Sequence, residues 1–475
     1  MQLTAASVPP AAPSEGDAEL AFTGLVGQAR LLASGEVSSR ELTELCLRRI
    51  AASQSTLNAF RVVFDEEALR EADLADERLA AGQGAPLLGV PVAIKDDVDV
   101  AGHPTPFGCG GEHPVAVADA ELVCRLRLAG AIVIGKTNAP EVGQWPFSES
   151  PAFGVTRNPW NAEHTPGGSS GGAAAAVAAG LVAGAIGSDG AGSVRIPAAW
   201  SNLVGLKPQR GRISTWPDAE AFNGLSCFGP LTRSVEDAAL LLDAVAGNHE
   251  GDLHRPPAPA SSFAAATAEP PRRLRIALSF ATPFGVAGKV DPEIRGATER
   301  TAKQLEALGH EVVREDPRYG QVGLGLVPRG MAGVHEWLRD RVPDHSALES
   351  RTRVHGRFGR ALSGPPLRAA KAAEPALRRR LGRIFERVDV VLTPTTAKPP
   401  PRIGELEGRG YWATSTAVSA ACPFGFAWNV TGWPGLSVPA GFTATGLPIG
   451  VQLLGRENDE VTLLALAMEM EDAPG

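Results

Sequence analysis

The chain has few of the residues that build disulfide scaffolds, metal centres or aromatic platforms. Its 475 residues include five cysteines, at 46, 109, 124, 227 and 422, an odd number at wide spacing with no Cys-x-x-Cys pair. No histidine groups with them at metal-ligand spacing. Neither a disulfide framework nor a zinc site is expected, and reduced thiols fit a cytoplasmic protein. Aromatic residues make up 5% of the chain, with two tyrosines. No apolar run reaches the ~20 residues of a membrane span. The opening segment lacks a basic n-region and a compact apolar core, so it is expected to be a flexible Pro/Ala leader over residues 1–17, not a secretory signal. A net charge of −8 argues against general nucleic-acid binding. Residues 351–387 run against that balance, with eleven Lys or Arg and two Glu, and are expected to be a solvated helical face. Phosphate-loop and dinucleotide fingerprints are missing, and so is a Ser-x-x-Lys motif; no cofactor is implied.

What the chain does have is an alternation of strands and helices. Glu36-Val-Ser38-Ser-Arg-Glu41 predicts a capping box, after which Leu42, Leu45, Cys46 and Ile50 recur at helical spacing. An acidic surface helix is predicted over 65–82. Leu88–Ile94 and Ala131–Ile134 predict strands flanking a helix at 119–129, and Ala173–Gly184 predicts an Ala-rich helix straight after a glycine loop. A Pro-rich break at 255–271 predicts a surface excursion. Beyond it, strands at 274–278 and 388–392 bracket a mostly helical stretch at 330–387. No internal repeat is visible. The fold class is therefore α/β, one domain over 18–475 with helices on both faces of a buried sheet. Its catalytic core is expected at 85–235 and a helical excursion at about 330–387.

Three side chains stand where a reactive group makes sense. Lys95 ends the apolar run Gly89-Val-Pro-Val-Ala-Ile-Lys95. Ser169 lies in Gly167-Gly-Ser169-Ser-Gly-Gly172, and Ser193 follows 24 residues later in Gly187-Ser-Asp-Gly-Ala-Gly-Ser193. A serine hydroxyl is a poor nucleophile until a base takes its proton. Nine histidines occur, none beyond residue 355. Gly167-Gly-Ser169-Ser-Gly171 satisfies the nucleophile-elbow pattern, but the C-terminal histidine of that fold is missing. Lysine can be the base only when neutral, so its pKa of about 10.4 must fall by several units. Burial behind Val92-Ala-Ile94 and the positive end of the helix after Gly172 both act in that direction. The bland alternative is Lys95 pairing with Asp96 or Asp97 at a surface turn; the two serine loops weigh against it. Successive N–H groups of Gly190, Ala191, Gly192 and Ser193 can converge on one oxygen, as an oxyanion hole requires.

Gly89–Asp96, Gly135-Lys-Thr-Asn138, Asn158-Pro-Trp160, Pro166–Gly172, Gly205-Leu-Lys-Pro208 and Gly446–Gln452, with the 24-residue serine spacing, resemble the landmarks of the amidase signature family. The likeness runs from about residue 35 to 470. It implies a single α/β/α domain around a mixed, twisted sheet of about eleven strands. It also implies Ser193 as nucleophile, Ser169 as a bridging serine on a cis peptide and Lys95 as general base, with Ser170, Asp189 and Arg195 in support. The implied activity is amide hydrolysis through an acyl-enzyme, with esters and carbamates open to the same oxyanion geometry. The implied partners are a small substrate and water, with no nucleic acid and no membrane; a homodimer is common in the family.

By the same resemblance, Gly143, Gln144, Trp145, Phe147, Cys422 and Phe426 border the acyl pocket. The aromatics there (Trp145, Phe147, Phe424, Phe426 and Trp428) point to an apolar alkyl or aryl group, against the bland reading that they are core. Two departures stand out. Ala191 occupies a position where the family usually has Gly, which narrows the approach. Cys422 stands seven residues before Asn429, where the glutamyl-tRNA amidotransferase branch places an acid in its A-type polypeptide. The alternatives are therefore a glutamine-dependent amidotransferase A-type polypeptide or a non-catalytic member, and the neutral Cys422 disfavours the first.

Overall fold

The computed structural model describes residues 15–283 and 289–473. Of the leader expected over 1–17, residues 1–14 lie outside the described residues, and a helix, Glu15–Phe22, takes up the last three positions. The predicted capping box forms. Ser38 Oγ accepts from Glu41 N at 3.1 Å, Glu41 Oε2 accepts from Ser38 N at 2.9 Å, and the helix Ser39–Leu57 follows.

Eleven strands make one sheet: β1 (Phe60–Val63), β2 (Pro91–Lys95), β3 (Ile132–Thr137), β4 (Gly184–Asp189), β5 (Val204–Lys207), β6 (Cys227–Thr232), β7 (Arg275–Leu278), β8 (Glu311–Arg314), β9 (Val390–Pro394), β10 (Gly435–Phe442) and β11 (Pro448–Leu454). Their spatial order is β1-β3-β2-β4-β6-β5-β10-β11-β9-β7-β8. The sheet is mixed: β3, β2 and β4 run parallel, as do β9, β7 and β8, while antiparallel pairs join the two groups through the middle.

Every residue of β2, β3 and β4 is buried, as two-sided strands require. Side chains alternate between the faces. Val92 and Ile94 join one large core with Leu122, Val123 and Leu242, whereas Ala93 joins a second core with Ile132, Ile134 and Ala173–Ala178. The sheet is thus covered on both sides.

The second core is built by the helix Gly171–Ala178, all eight residues of which are buried. Alanine lets that helix press close to the strands. It is shorter than predicted: it ends at Ala178, Gly180 turns the chain with φ of 64°, and strand β4 begins at Gly184. An apolar stretch without a clear period does not distinguish a buried strand from a helix. The helical excursion also begins earlier than residue 330, with helices at Val322–Arg341, Ser350–Leu362 and Pro365–Gly382.

Candidate active site

β2 and β4 lie side by side and parallel, with Ala93 opposite Ala185 and Ile94 opposite Ile186. Their last residues therefore reach the same edge of the sheet, Lys95 from one and Ser188 and Asp189 from the other. Carboxyl ends of parallel strands are where α/β sheets carry ligand chemistry. Lys95 is fully buried, and its Nζ donates to Ser169 Oγ at 2.7 Å and to Ser188 Oγ at 2.8 Å. The Phe107 ring centroid lies 5.2 Å from the same nitrogen. Burial pushes the Lys95 ammonium below its ordinary pKa, while Asp97 and Asp189 pull the other way. The alternative of a surface ion pair fails on burial: Asp97 does sit 3.6 Å from Nζ, but inside the protein.

Ser169 follows a cis peptide bond from Gly168 and stands just before the Gly171–Ala178 helix. A Cβ on Gly168 would lie 2.7 Å from both Phe147 N and Trp145 O, so no other residue fits there unshifted. Across from it is Gly143, with φ of 60°, whose missing Cβ would sit 3.1 Å from Ser169 Oγ and 2.4 Å from the Phe107 ring. Ser170 N donates to the Ser193 carbonyl at 3.1 Å, fastening the Ser193 loop beside the Ser169 loop. Ser170 Oγ also donates to Ser188 O at 3.2 Å. Ser193 itself is half-buried.

Beneath that loop lies a buried polar hub. Arg195 Nε and Nη2 reach the two Asp189 oxygens at 3.0 Å each, and the guanidinium also donates to Asn429 Oδ1, Gly425 O and Gln452 Oε1. Burial alone would raise the Asp189 carboxyl. Arg195, Lys207 and Asn429 outweigh it and hold the group well below the usual carboxylate range. The hub also corrects one expectation. Gly192 N donates to Asp189 Oδ1 at 2.7 Å, so this amide is spent inward. Of the four predicted oxyanion donors, Gly190, Ala191 and Ser193 keep their N–H groups free of Asp189.

The predicted pocket residues divide. Gly143, Gln144 and Phe426 are half-buried. Gln144 is tied down by Thr352, and its Oε1 accepts from His355 Nδ1 at 2.7 Å. Trp145 and Phe147 expose 5% and 1%, stack 6.0 Å apart and pack with Met331, Leu406 and Tyr411. Phe424 and Trp428 are also core, and buried Cys422 packs with Ile196 and Trp200. Of the five aromatics that read from the sequence as either pocket or core, Trp145, Phe147, Phe424 and Trp428 are buried, as the core reading has it, and Phe426 is half-buried.

Ser188, Phe222 and Trp337, not singled out from the sequence, border the site, as does Asp97, which the sequence offers only as a surface partner of Lys95. Ser188 and Asp97 form a second arm on Lys95, with Ser188 Oγ donating to Asp97 Oδ2. Both border a cavity of about 320 Å³ walled by Phe222, Phe228 and Trp337. Ser188 belongs to the glycine-rich Gly187–Ser193 run, and strand alternation from Asp189 separates its direction from that of its neighbour. Nothing local marks Phe222 or Trp337, which only tertiary packing brings there. Among the described residues no group of three or more His, Cys, Asp or Glu is arranged to hold a metal ion.

Comparison with known proteins agrees with this architecture. The family model described as Amidase matches residues 41–464. AmiA2 of Mycobacterium tuberculosis, a putative amidase by name, is 54% identical over 446 residues, covering 94% of this chain and 92% of its own. The A-type polypeptide of the glutamyl-tRNA(Gln) amidotransferase of Desulforapulum autotrophicum is 34% identical, over 96% of this chain and 98% of its own. The solved structure of 6-aminohexanoate cyclic dimer hydrolase complexed with substrate superposes with a TM-score of 0.88 at 33% identity, covering 95% of this chain and 97% of its own. On the extent of these matches and the shared fold, the chain belongs to the amidase (amidase signature) family.

Proposed function

We propose that this chain is a serine amidohydrolase acting on small, neutral, fairly apolar alkyl or aryl amides. The observation that carries the reading is the 2.7 Å contact between the fully buried Lys95 amine and the Ser169 hydroxyl. Neutral Lys95 takes the Ser169 proton while Ser169 takes that of Ser193, and Ser193 Oγ attacks the carbonyl carbon. The amides of Gly190, Ala191 and Ser193 receive the oxyanion; each such donor typically lowers the barrier by about 2.7–4 kcal/mol. Ser169 then hands a proton to the leaving nitrogen and the C–N bond breaks, leaving an ester on Ser193. Water gives up its proton along the same route, and the carboxylic acid departs. Esters and carbamates present the same carbonyl and enter the same cycle.

An apolar substrate is supported by the half-buried Phe426 and by Ala191, and by the likeness to a hydrolase of the 6-aminohexanoate cyclic dimer. A cytoplasmic setting is part of the same proposal; among the described residues no helix is long and apolar enough to cross a membrane. The amidotransferase alternative has a 34% identical relative behind it, but Cys422 sits in an apolar cluster and offers no charge to a substrate ammonium. Purified chain should hydrolyse an anilide unaided, and Ser193→Ala should lower that rate by about a thousandfold or more without unfolding the protein. A requirement for a partner protein, or activity that survives the substitution, defeats the proposal.

A further inference from the structure

Lys95, Asp96 and Asp97 are consecutive, and the fold sends the two acids in different directions. Asp96 turns to other cations, Arg61 Nε at 2.7 Å and Lys136 Nζ at 3.1 Å. Asp97 turns back to Lys95. Its Oδ2 lies 3.6 Å from Nζ and accepts the Ser188 hydroxyl, which itself accepts from Nζ at 2.8 Å. The Asp97 side chain is 7% exposed, and its Oδ1 has no hydrogen-bond partner. Lys95 is therefore held between two hydroxyls, that of Ser169 on one side and that of Ser188, backed by a carboxylate, on the other.

We propose that Asp97, acting through Ser188, is a positioning residue that aims the Lys95 amine at Ser169 and sets the pH at which that amine becomes neutral. The inference rests on the reading of Lys95 as the base. A carboxylate at this range stabilises the ammonium against burial, which destabilises it. The base therefore keeps more proton affinity than burial alone would leave it, which favours withdrawal of the Ser169 proton. Asp97 is the acid placed to do this. Asp189 also favours the charged lysine, but it is engaged by Arg195. The other groups packed on the amine, the Ser169 and Ser188 hydroxyls and the Phe107 ring, carry no charge. Across the cavity that Asp97 borders stand Asp218, Glu220, Glu336, Arg339, Asp340 and Arg341. These are largely paired elsewhere: Arg341 with Asp99 and Asp218, Arg339 with Asp340, Glu220 with Lys371 and His254, and Glu336 with Asn223.

Asp97→Asn keeps the shape and removes the charge. The acid limb of kcat/KM should move down by about one pH unit, raising the rate one unit below the wild-type midpoint by roughly fivefold, with KM little changed. Asp97→Glu should hold the limb near its wild-type position. A limb in Asp97→Asn that stays put or moves up overturns the proposal. Direct NMR titration of the Lys95 amine in Ser193→Ala, with and without Asp97→Asn, gives the same test without turnover. There a downward shift supports the role of Asp97 even if the proposed activity fails, and an unmoved titration removes that role even if the activity stands. Should Asp97→Asn not fold, Ser188→Ala breaks the bridge with both charges kept, and an unmoved limb in that variant is equally fatal.

Discussion

Arg195 grips both oxygens of Asp189 at 3.0 Å, and neither side chain has any solvent exposure. Asp189 in turn accepts the backbone N–H groups of Gly192 and Val194 at 2.7 and 3.2 Å, so one ion pair shapes the whole loop that carries Ser193. The pair also reaches the far end of the sequence through Gln452 and Asn429.

Asp189→Asn should therefore lower stability by about 3–5 kcal/mol, because it leaves a buried guanidinium without its counter-charge. Urea denaturation reads this as a lower midpoint. The sign of the pH dependence follows from the depressed carboxyl. Its contribution is present above the unfolded pKa and fades as pH falls toward the folded one. The gap between wild type and variant should close in acid. A variant within about 1 kcal/mol of wild type at neutral pH would mean that the hub does not hold the loop as described.

Ala175→Leu should cost about 1–3 kcal/mol. Ala175 is fully buried in the helix that follows the Ser169 loop, and the space beside it is already filled by the second core. The distinguishing measurement is differential: stability should fall, and if the helix shifts to make room, Ser169 shifts with it and kcat falls too. An unchanged denaturation midpoint would show slack in that core.

Gly143→Ala tests how tightly Ser169 is confined. A methyl group there would meet the Phe107 ring at 2.4 Å and Ser169 Oγ at 3.1 Å, at a backbone φ of 60° that suits glycine. The expected result is a fall in kcat of about tenfold or more, from a displacement of order 1 Å near the reacting groups. KM for a small anilide should change less. Full activity would place the Ser169 hydroxyl farther from this turn.

Much of this is legible in the sequence, for local reasons. The Ser38–Glu41 capping box, the strand ending at Lys95 and the glycine-flanked serines all depend on residues within a few positions of one another. What stays hidden is long-range. Trp145 and Phe147 read as pocket walls, yet Arg351, some 200 residues on, stacks over both at 5.6 and 5.1 Å and helps to close them off. Gly192 reads as an oxyanion donor, but Asp189 folds beneath it and takes its amide. Phe222 and Trp337 carry no periodic signature, and only the packing of the 322–341 helix sets them against Ser188 and Asp97.

Glu141 gives a pH dependence whose sign can be worked out. It is 2% exposed, in the same turn as Gly143, and both of its oxygens lie 3.1 Å from the Glu349 N–H that heads the Ser350–Leu362 helix. Burial pushes its carboxyl up to about 7, although the hydrogen bonds from Thr352 and Glu349 oppose that rise. An acid whose folded pKa lies above its unfolded value stabilises the fold while protonated. That stability is complete below about 4.5 and is lost as pH rises through about 7. His355, bonded to Gln144 beside it, runs the other way: burial lowers its pKa from 6.5 to about 4, so the fold weakens as pH falls through that window. The Glu141 contribution to melting temperature should accordingly drop as pH rises from about 4.5 through about 7, against the opposing rise from His355, and Glu141→Gln, which cannot ionise, should remove that drop and leave a profile that climbs through the His355 window. Equal profiles in wild type and variant would mean that Glu141 is already ionised at about pH 6, and that the helix is held to the active-site turn by a charge.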